Sequence, residues 1–313
     1  MILVVGEAVV DFLAQSTGAK PAGSINHSFR PTLGGSPFNV ALGLGRLGTP
    51  VAYSWAISTD LFGKGFLDAL AEADVNLDRV VRSPLPSTLS FIDTIDGEPR
   101  YAFFDTASAG RYFDPADITD LSDEISLLHV GSYVLGTEPV GSLVEEMVIE
   151  EAEHRLISLD LNVRPSLVED EPAYRERLTR MMEVADIIKA SAEDLAWLYP
   201  DVTHDYMVEA WLEAGAALAI VTLGAKGARI ASAGYDVTKP APPTFLIDTI
   251  GSGDAFMAGF LAGLDDHGAF SEDGLSGLGV ENLEESFALA RRCAALVCGR
   301  AGADMPWRHE LMD

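Results

Sequence analysis

The 313-residue chain holds only two cysteines, Cys293 and Cys298. Five residues apart in a helical pattern, they offer neither a disulfide framework nor a metal site. Basic side chains are scarce too: 21 Lys and Arg stand against 48 Asp and Glu, for a net charge of −27. A nucleic acid or an anionic membrane would have to overcome that repulsion, which speaks against both as partners. An anionic small molecule meets the same field, so any nucleotide site needs a local positive focus, and the chain has just five lysines. No apolar run approaches the roughly 20 residues that span a bilayer. The opening "MILVVGEAVV" lacks the basic flank of a secretory signal and reads as a strand. Six histidines (His27, His129, His154, His204, His267, His309) fall at no metal-ligand spacing. The expectation is a cytoplasmic soluble protein whose acidity is solvated surface.

What is present is a core. With 48% hydrophobic residues the chain buries far more than a disordered segment could. Strand-like runs at Ile2–Val10, Val51–Ile57, Leu127–Val130, Leu156–Leu161, Asp186–Ala190, Leu218–Leu223 and Thr244–Asp248 alternate with helix-period stretches. The helical stretches are Pro37–Leu47, Gly65–Ala73, Pro139–Glu153, Tyr174–Val184, Ala192–Leu198 and Leu283–Gly299. That alternation predicts an α/β fold: a mostly parallel sheet with helices on both faces and ligands at the carboxyl ends of its strands. One stretch departs from it. "STLSFIDTIDGEPRYAFFD", Ser87–Asp105, sets two β-rich runs around Asp96-Gly97, a hairpin signal. Residues 12–33 are polar, carry proline and glycine, and look non-helical. The chain therefore reads as a single domain over 1–313, with a small β element from 12–33 and 86–111 projecting from the sheet.

The motif with most chemistry is "LIDTIGSGDA", Leu246–Ala255. Its glycines lie between a strand-like run and a helix, where exposed N–H groups and the helix dipole make a site for an anion. Asp254 falls in the first helical turn. A carboxylate beside an anion cradle is senseless for holding phosphate, because like charges repel. It makes sense if a neutral hydroxyl sits between them: the carboxylate takes its proton while the N–H groups hold the charge gathering on a transferred phosphoryl group. A glycine turn with an acidic helix start is the bland alternative, and the turn alone leaves both open.

The rest of the motif narrows the choice. "DTIGSGD" resembles the signature of the ribokinase-like (PfkB) sugar kinases, with Ser252 where alanine is usual. The resemblance implies a ribokinase-like three-layer sandwich with a small β-strand lid, Asp254 as catalytic base and Gly251, Ser252 and Gly253 as anion hole. It also implies a monovalent cation, K⁺, near Asp248 and the carbonyl of Ile250. "GGSPFNVALGLGRLG" resembles the family's sugar-binding segment, with Gly34 and Gly35 admitting the sugar and Asn39 bonding its hydroxyls. Gly43, Gly45 and Gly48 spell a literal G-x-G-x-x-G, but late in a helical run, where close packing and a helix C-cap explain them better than a dinucleotide.

"GEAVVDF" resembles the first strand, whose aspartate, Asp11, accepts two sugar hydroxyls. "LDLNVRP" resembles the fructokinase segment in which Asn162 and Arg164 border substrate and phosphate. "KASAEDL" stands where the family usually has N-x-x-E. It places Lys189 and Ser191 at the nucleotide, and Asp194 behind Mg²⁺-bound water. "VTLGAKG" would support ATP through Thr222, Gly224 and Gly227, with Lys226 in solvent, and "RAGADMPWRHEL" through Gly302. These segments run in the family's order from Gly6 to Leu311. No Walker G-x-x-x-x-G-K-[ST] occurs, so P-loop chemistry is excluded.

For the acceptor, relatives that phosphorylate 2-keto-3-deoxygluconate carry tyrosines and an arginine where this chain has Phe104 and Asp105. A carboxylate facing a carboxylate is unfavourable, so a neutral sugar is expected. "SAGR", Ser108–Arg111, resembles the T-A-D-R of bacterial fructokinases, which brings Arg111 and Phe104 to the sugar and makes fructose the expected substrate. Phe103 and Phe104 read equally well as lid packing. The alternatives are a kinase for another neutral sugar, for 2-keto-3-deoxygluconate or for a nucleoside, or a non-catalytic sugar-binding protein on the same fold. The resemblance further implies a homodimer paired through the lid strands.

Overall fold

In this computed structural model, residues 1–16, 27–95, 98–118, 121–122, 124–271 and 274–311 are described. In chain order the strands are β1 (Ile2–Val5), β2 (Val9–Ser16), β3 (His27–Gly34), β4 (Val51–Ser54), β5 (Ala56–Ser58), β6 (Val81–Ser83), β7 (Thr88–Ile95), β8 (Glu98–Phe104), β9 (Leu127–Gly131), β10 (Leu156–Asp160), β11 (Ile187–Ser191), β12 (Leu218–Thr222), β13 (Ala228–Ser232) and β14 (Tyr235–Lys239). The helices are α1 (Ser36–Arg46), α2 (Leu61–Glu72), α3 (Val140–Glu151), α4 (Glu171–Met182), α5 (Ala192–Leu198), α6 (His204–Glu213), α7 (Ser252–Asp266) and α8 (Val280–Cys298).

The main sheet has the order β14-β13-β12-β11-β10-β9-β1-β4, parallel except where β13 pairs with β12 and β14. Its central strands are continuous apolar runs because helices cover both sides; Ile2, Leu3, Val4 and Val5 expose nothing. From β1 the chain steps outward to β4, whereas from β9 it steps the other way through β10 and β11 to β12. Right-handed crossovers then put α1 on one face and α3 to α6 on the other. Consistent with this, α1, α2, α7 and α8 pack among themselves, as do α3 and α4. The reversal lies between β1 and β9, and the crevice at the carboxyl ends there is where a ligand site is expected in such sheets.

A second, four-stranded sheet, β3-β2-β7-β8, stands apart from the first. It explains why the apolar run Ile2–Val10 is not one strand. The run breaks at Gly6, whose φ is +148° and where a Cβ would collide with Pro37. Val9 onward joins the second sheet, pairing antiparallel with β3 and parallel with β7. Strands β7 and β8 form the predicted antiparallel hairpin, although its turn at Asp96-Gly97 lies outside the described residues, as do residues 17–26 of the polar segment. Val51–Ile57 likewise splits, β5 leaving to pair with β6.

One expected strand fails. Thr244–Asp248 is not a strand. It follows Pro240, Pro242 and Pro243, and the N–H groups of Ile247 and Asp248 both donate to the Cys298 carbonyl, so they join no ladder. The sheet edge is held by the β13–β14 hairpin, whose alternating "ARIASAGYDVTK" was the better strand signal.

Helix α7 is buried from Asp254 to Leu264 because it lies between two other helices. Glycines set its spacing. A Cβ on Gly43 of α1 would come 2.7 Å from Ala258 Cβ, and one on Gly263 would come 2.6 Å from Ser286 Cα of α8. The G-x-G-x-x-G is thus packing, with Gly48 ending α1 at φ +77°.

Helix α2 begins four residues earlier than its periodicity suggested because Asp60 caps it. Its carboxylate accepts the N–H of Phe62 and Gly63 at 3.0 and 2.8 Å, and also the N–H and hydroxyl of Ser87, both at 2.9 Å. Asp60→Ala removes a cap and an anchor for the segment leading into β7. A loss of about 1–2 kcal/mol is expected, read as a lower urea midpoint, with Asp60→Asn recovering most of it.

Candidate active site

The glycine turn "IGSGD" enters α7 through Gly251, which holds a left-handed φ of +76°. A Cβ there would lie 2.5 Å from Ala303 Cβ, so only glycine fits. The N–H groups of Gly253 and Asp254 open the helix and have no carbonyl of the preceding turn to bond. Asp254, 8% exposed, projects from that turn toward the start of α1. Ser36 Oγ donates to its Oδ1 at 2.7 Å and Asn39 Nδ2 to its Oδ2 at 2.8 Å. Asn39, expected to face a sugar, thus spends its amide N–H on Asp254. Its Oδ1 is buried with no partner among the described residues, an acceptor left for a ligand.

Asp11 lies on the second sheet beside this group. Ser90 of β7, its register neighbour, donates to its Oδ1, and a Cβ at Gly34 would collide with its Oδ2, so glycine makes the room. Burial raises the Asp11 pKa, opposed by Ser90 and the Arg164 guanidinium and reinforced by the Asp254 charge. Gly35, with φ +103°, lies against the backbone of Glu7, and a Cβ would collide with the Glu7 carbonyl. Arg164 is exposed; its Nη1 donates to Asn162 Oδ1 at 2.7 Å and to carbonyls of its own loop. Asn162 itself has φ +35°, a conformation asparagine tolerates better than most residues.

The nucleotide side was expected at the ends of β11 and β12. Lys189 is 3% exposed and its Nζ is 2.6 Å from Asp160 Oδ2 on the neighbouring strand. It also lies 3.7 Å from where a Cβ on Gly253 would sit, directly beneath the glycine turn. Lys189 thus brings positive charge directly to the glycine turn. Burial raises the Asp160 pKa to about 6, with Lys189 lowering it and Asp194 and Asp254 raising it. Burial, then Lys189, lowers the pKa of His129 to about 3, and its Nδ1 is 2.9 Å from Ser158 Oγ, so it is neutral and structural.

Ser191 caps α5 and stands beside Thr222 in register. Asp194 completes a capping box: its oxygens accept the N–H of Ser191 at 2.7 Å and of Val163 at 2.8 Å, tying α5 to the Asn162–Arg164 loop. Beyond Thr222, Gly224 and Gly227 form an open turn with Lys226 exposed. Asp248 accepts N–H groups from Ile250 at 3.0 Å and from Gly302 at 2.9 Å, joining the glycine turn to the Gly302 loop.

Two expected residues are not brought to this group. On β8 successive side chains alternate faces. Phe103, opposite Ser90 in register, packs on Tyr133 at 4.9 Å between ring centroids. Phe104 therefore points the other way, 60% exposed and edge-on to Phe91 at 5.7 Å. Arg111 is bound by Asp105 at 3.3 Å and Glu169 at 2.6 Å rather than offered to a ligand. Conversely, Glu7, Ser36, Ser90 and Asp160 belong to the group but were not singled out in the sequence. Ser36 had one signal: it stands three residues before Asn39, on the same helical face.

The arrangement has two ends. Around Asp254 are Asp11 and the orphan Asn39 oxygen, acceptors suited to a neutral polyol. Beyond the glycine turn lie N–H donors and Lys189, suited to phosphates, whereas the Arg164 guanidinium lies near enough to Asp11 and Glu7 to lower both of their pKa values. Comparison with known proteins gives the family. Residues 1–310 match the family model described as pfkB family carbohydrate kinase. A fructokinase of Rhizobium leguminosarum bv. trifolii is 39% identical over 264 residues, 84% of this chain and 79% of that protein. Among solved structures, fructokinase from Xylella fastidiosa with bound ATP superimposes with a TM-score of 0.87 at 26% identity, covering 99% of this chain and 96% of that one. Fructokinase from Vibrio cholerae O395, in a form with fructose, ADP and calcium bound, gives 0.82 at 25% identity, covering 99% and 97%.

Glu7 supplies a test of the buried electrostatics. It is 1% exposed, and burial raises its pKa from 4.5 to about 7 against hydrogen bonds from Ser132 and Ser36 and the Arg164 charge. The folded chain thus keeps a proton that the unfolded chain releases above 4.5. The stability this group confers is complete below pH 4.5 and lost as pH rises through 7. Glu7→Gln cannot ionise yet keeps an acceptor for the Ser36 N–H. It is expected to flatten the urea midpoint across that window, leaving the slope due to Asp160, and to unfold later than the parent above pH 7.

Proposed function

The chain belongs to the PfkB family of carbohydrate kinases, and on that premise we propose that it transfers the terminal phosphoryl group of ATP to a hydroxyl of fructose, giving fructose 6-phosphate. The observation that carries this reading is the placement of the Asp254 carboxylate at the opening of α7, beside both the anion-binding turn and the acceptors around Asp11. Each Asp254 oxygen accepts one hydrogen bond and keeps a second lone pair for the incoming hydroxyl. Asp254 takes that proton as the oxygen attacks phosphorus. Within the Gly251–Gly253 turn, the Ser252 N–H already donates to the Thr249 carbonyl at 3.2 Å, so the N–H of Gly253, with that of Asp254, meets the phosphoryl oxygens, and the helix dipole favours the charge that collects there. Lys189 supplies positive charge on the phosphate side, from beneath the turn, and Arg164, close enough to Asp11 and Glu7 to act on both, borders substrate and phosphate. Asp11, Gly34, Gly35, Asn39 and Asn162 surround the sugar.

Fructose fits better than an acid. The acceptor end is lined by carboxylates, and Arg111, the residue that would answer a substrate carboxylate, is neutralised by Asp105 and Glu169. The second sheet serves as lid, with Phe103 rather than Phe104 on the face turned to the sugar. Its outer face carries a cluster of Phe12, Phe91 and Phe104 that suits pairing of two copies through the lid strands.

ATP lies along Ser191, Thr222, Gly224, Gly227 and Gly302. Mg²⁺ would reach the protein through water at Asp194 and Ser191. Among the described residues no cluster of three metal-ligating side chains exists, and each Asp194 oxygen retains a lone pair, which fits an ion held chiefly by phosphates. Mg²⁺ so bound neutralises charge on the transferred group. Asp248 and the Ile250 carbonyl would face a K⁺ ion. The reading carries a cytoplasmic location, where ATP is supplied; among the described residues no helix is long and apolar enough to cross a membrane.

The test is ADP release with fructose, ribose, 2-keto-3-deoxygluconate and adenosine in parallel. Fructose is expected to give the highest kcat/KM, and Asp254→Asn to lower kcat by about 10²–10⁴-fold with sugar binding retained. Turnover undiminished in Asp254→Asn, or no sugar-dependent ADP release by the parent, would refute the reading.

A further inference from the structure

Asp254 is held by two side chains of one helix. Ser36 is the first residue of α1, and Asn39 lies one turn on, so both face α7. With one hydrogen bond on each oxygen, the carboxylate is fixed about both of its side-chain torsions; a single bond would leave one of them loose.

Ser36 has no need to be serine for the helix to begin. Gly35 is the N-cap residue, Pro37 starts the turn, and no side chain caps this helix. A hydroxyl at a site only 9% exposed costs free energy unless it is bonded, and the partner Ser36 finds is Asp254, 218 residues away. The residue is in turn held from below. Its N–H donates to Glu7 Oε1 at 3.4 Å, and Gly35 lies flat on the Glu7 backbone. A rigid connection therefore runs from the end of β1 through Ser36 to the carboxylate.

Resting on the kinase reading, we infer that Ser36 is a positioning residue for Asp254: its hydroxyl fixes the Oδ1 edge so that the remaining lone pair meets the acceptor hydroxyl in line with phosphorus. It acts through Asp254 without touching sugar or ATP. The loss on its removal therefore falls on the chemical step, where a small misplacement of a reacting group costs up to about 10²-fold.

The experiment is steady-state ADP release from fructose and ATP by the parent, Ser36→Ala and Ser36→Thr, with thermal melting of each. Ser36→Ala is expected to lower kcat and kcat/KM together by about tenfold, the pattern of an interaction made only in the transition state. KM for both substrates and the melting temperature should stay close to the parent's, and Ser36→Thr, which restores a hydroxyl, should recover most of the rate. Should the alanine variant not fold, Ser36→Cys, a weak donor of similar size, takes its place with the same outcome expected. Unchanged kcat in Ser36→Ala overturns the inference. So does a rise in fructose KM at constant kcat, which would make Ser36 a sugar contact. A threonine variant no faster than alanine overturns it as well, because the hydroxyl would then only fill space. No sugar-dependent turnover by the parent itself would instead remove the kinase reading on which the inference stands.

Discussion

Two helices far apart in sequence open at one point, and the site depends on that meeting. α1 brings Ser36 and Asn39, α7 brings Asp254, and the bonds between them span 218 and 215 residues. Neither helix is placed by the site. Each is placed by packing: Gly43 against Ala258, Gly263 against Ser286, and Gly251 against Ala303 allow approaches that any side chain would forbid. Core interiors do not deform continuously, so a methyl group added at one of these contacts would shift the whole α1–α7 relation. The carboxylate geometry is a consequence of helix spacing, and helix spacing is a consequence of glycine.

The second constraint is buried charge. Glu7, Asp160 and Lys189 are each at most 3% exposed, and taking such groups out of water costs several kcal/mol per ion before pairing repays it. A core built for stability alone would not hold them. Their distribution is asymmetric in a way that suits transfer from a phosphate donor to a neutral acceptor. The ammonium lies under the glycine turn, whereas Asn39 Oδ1, without a partner among the described residues, belongs to the amide that bonds Asp254. A polyol brings O–H donors to such a surface; an anion would bring only repulsion.

Much of this was legible because it is local. The parallel strands read as apolar runs since both of their faces are covered, and the glycine turn read as an anion site since strand, turn and helix are contiguous in the chain. What was missed depends on what the chain meets far away. Nothing in "GEAVVDF" distinguishes Glu7, which matters only because Ser36 comes to lie on it. Phe104 was placed at the sugar, but strand register turns it outward and sets Phe103 on the other face against Tyr133, a choice fixed by pairing with Ser90. The run Thr244–Asp248 has strand composition, yet the edge it would join was already taken by β14, and Phe245 is left 84% exposed. Arg111 looked available until Asp105 and Glu169 were seen to bind it from both sides.

A net charge of −27 looks hostile to ATP, and over long distances it is. At physiological ionic strength, however, exposed charges more than about 8 Å away are largely screened, whereas buried ones are screened much less. What lies close to the glycine turn therefore counts for more than the total: the N–H groups that open α7 and Lys189 under them. Of these, Lys189 is the least free, since Asp160 holds it in the absence of a phosphate. At 2.6 Å from Nζ, the Asp160 carboxylate offsets a burial that would be costly for an isolated ammonium group. Asp160 thus fixes Lys189 beneath the glycine turn.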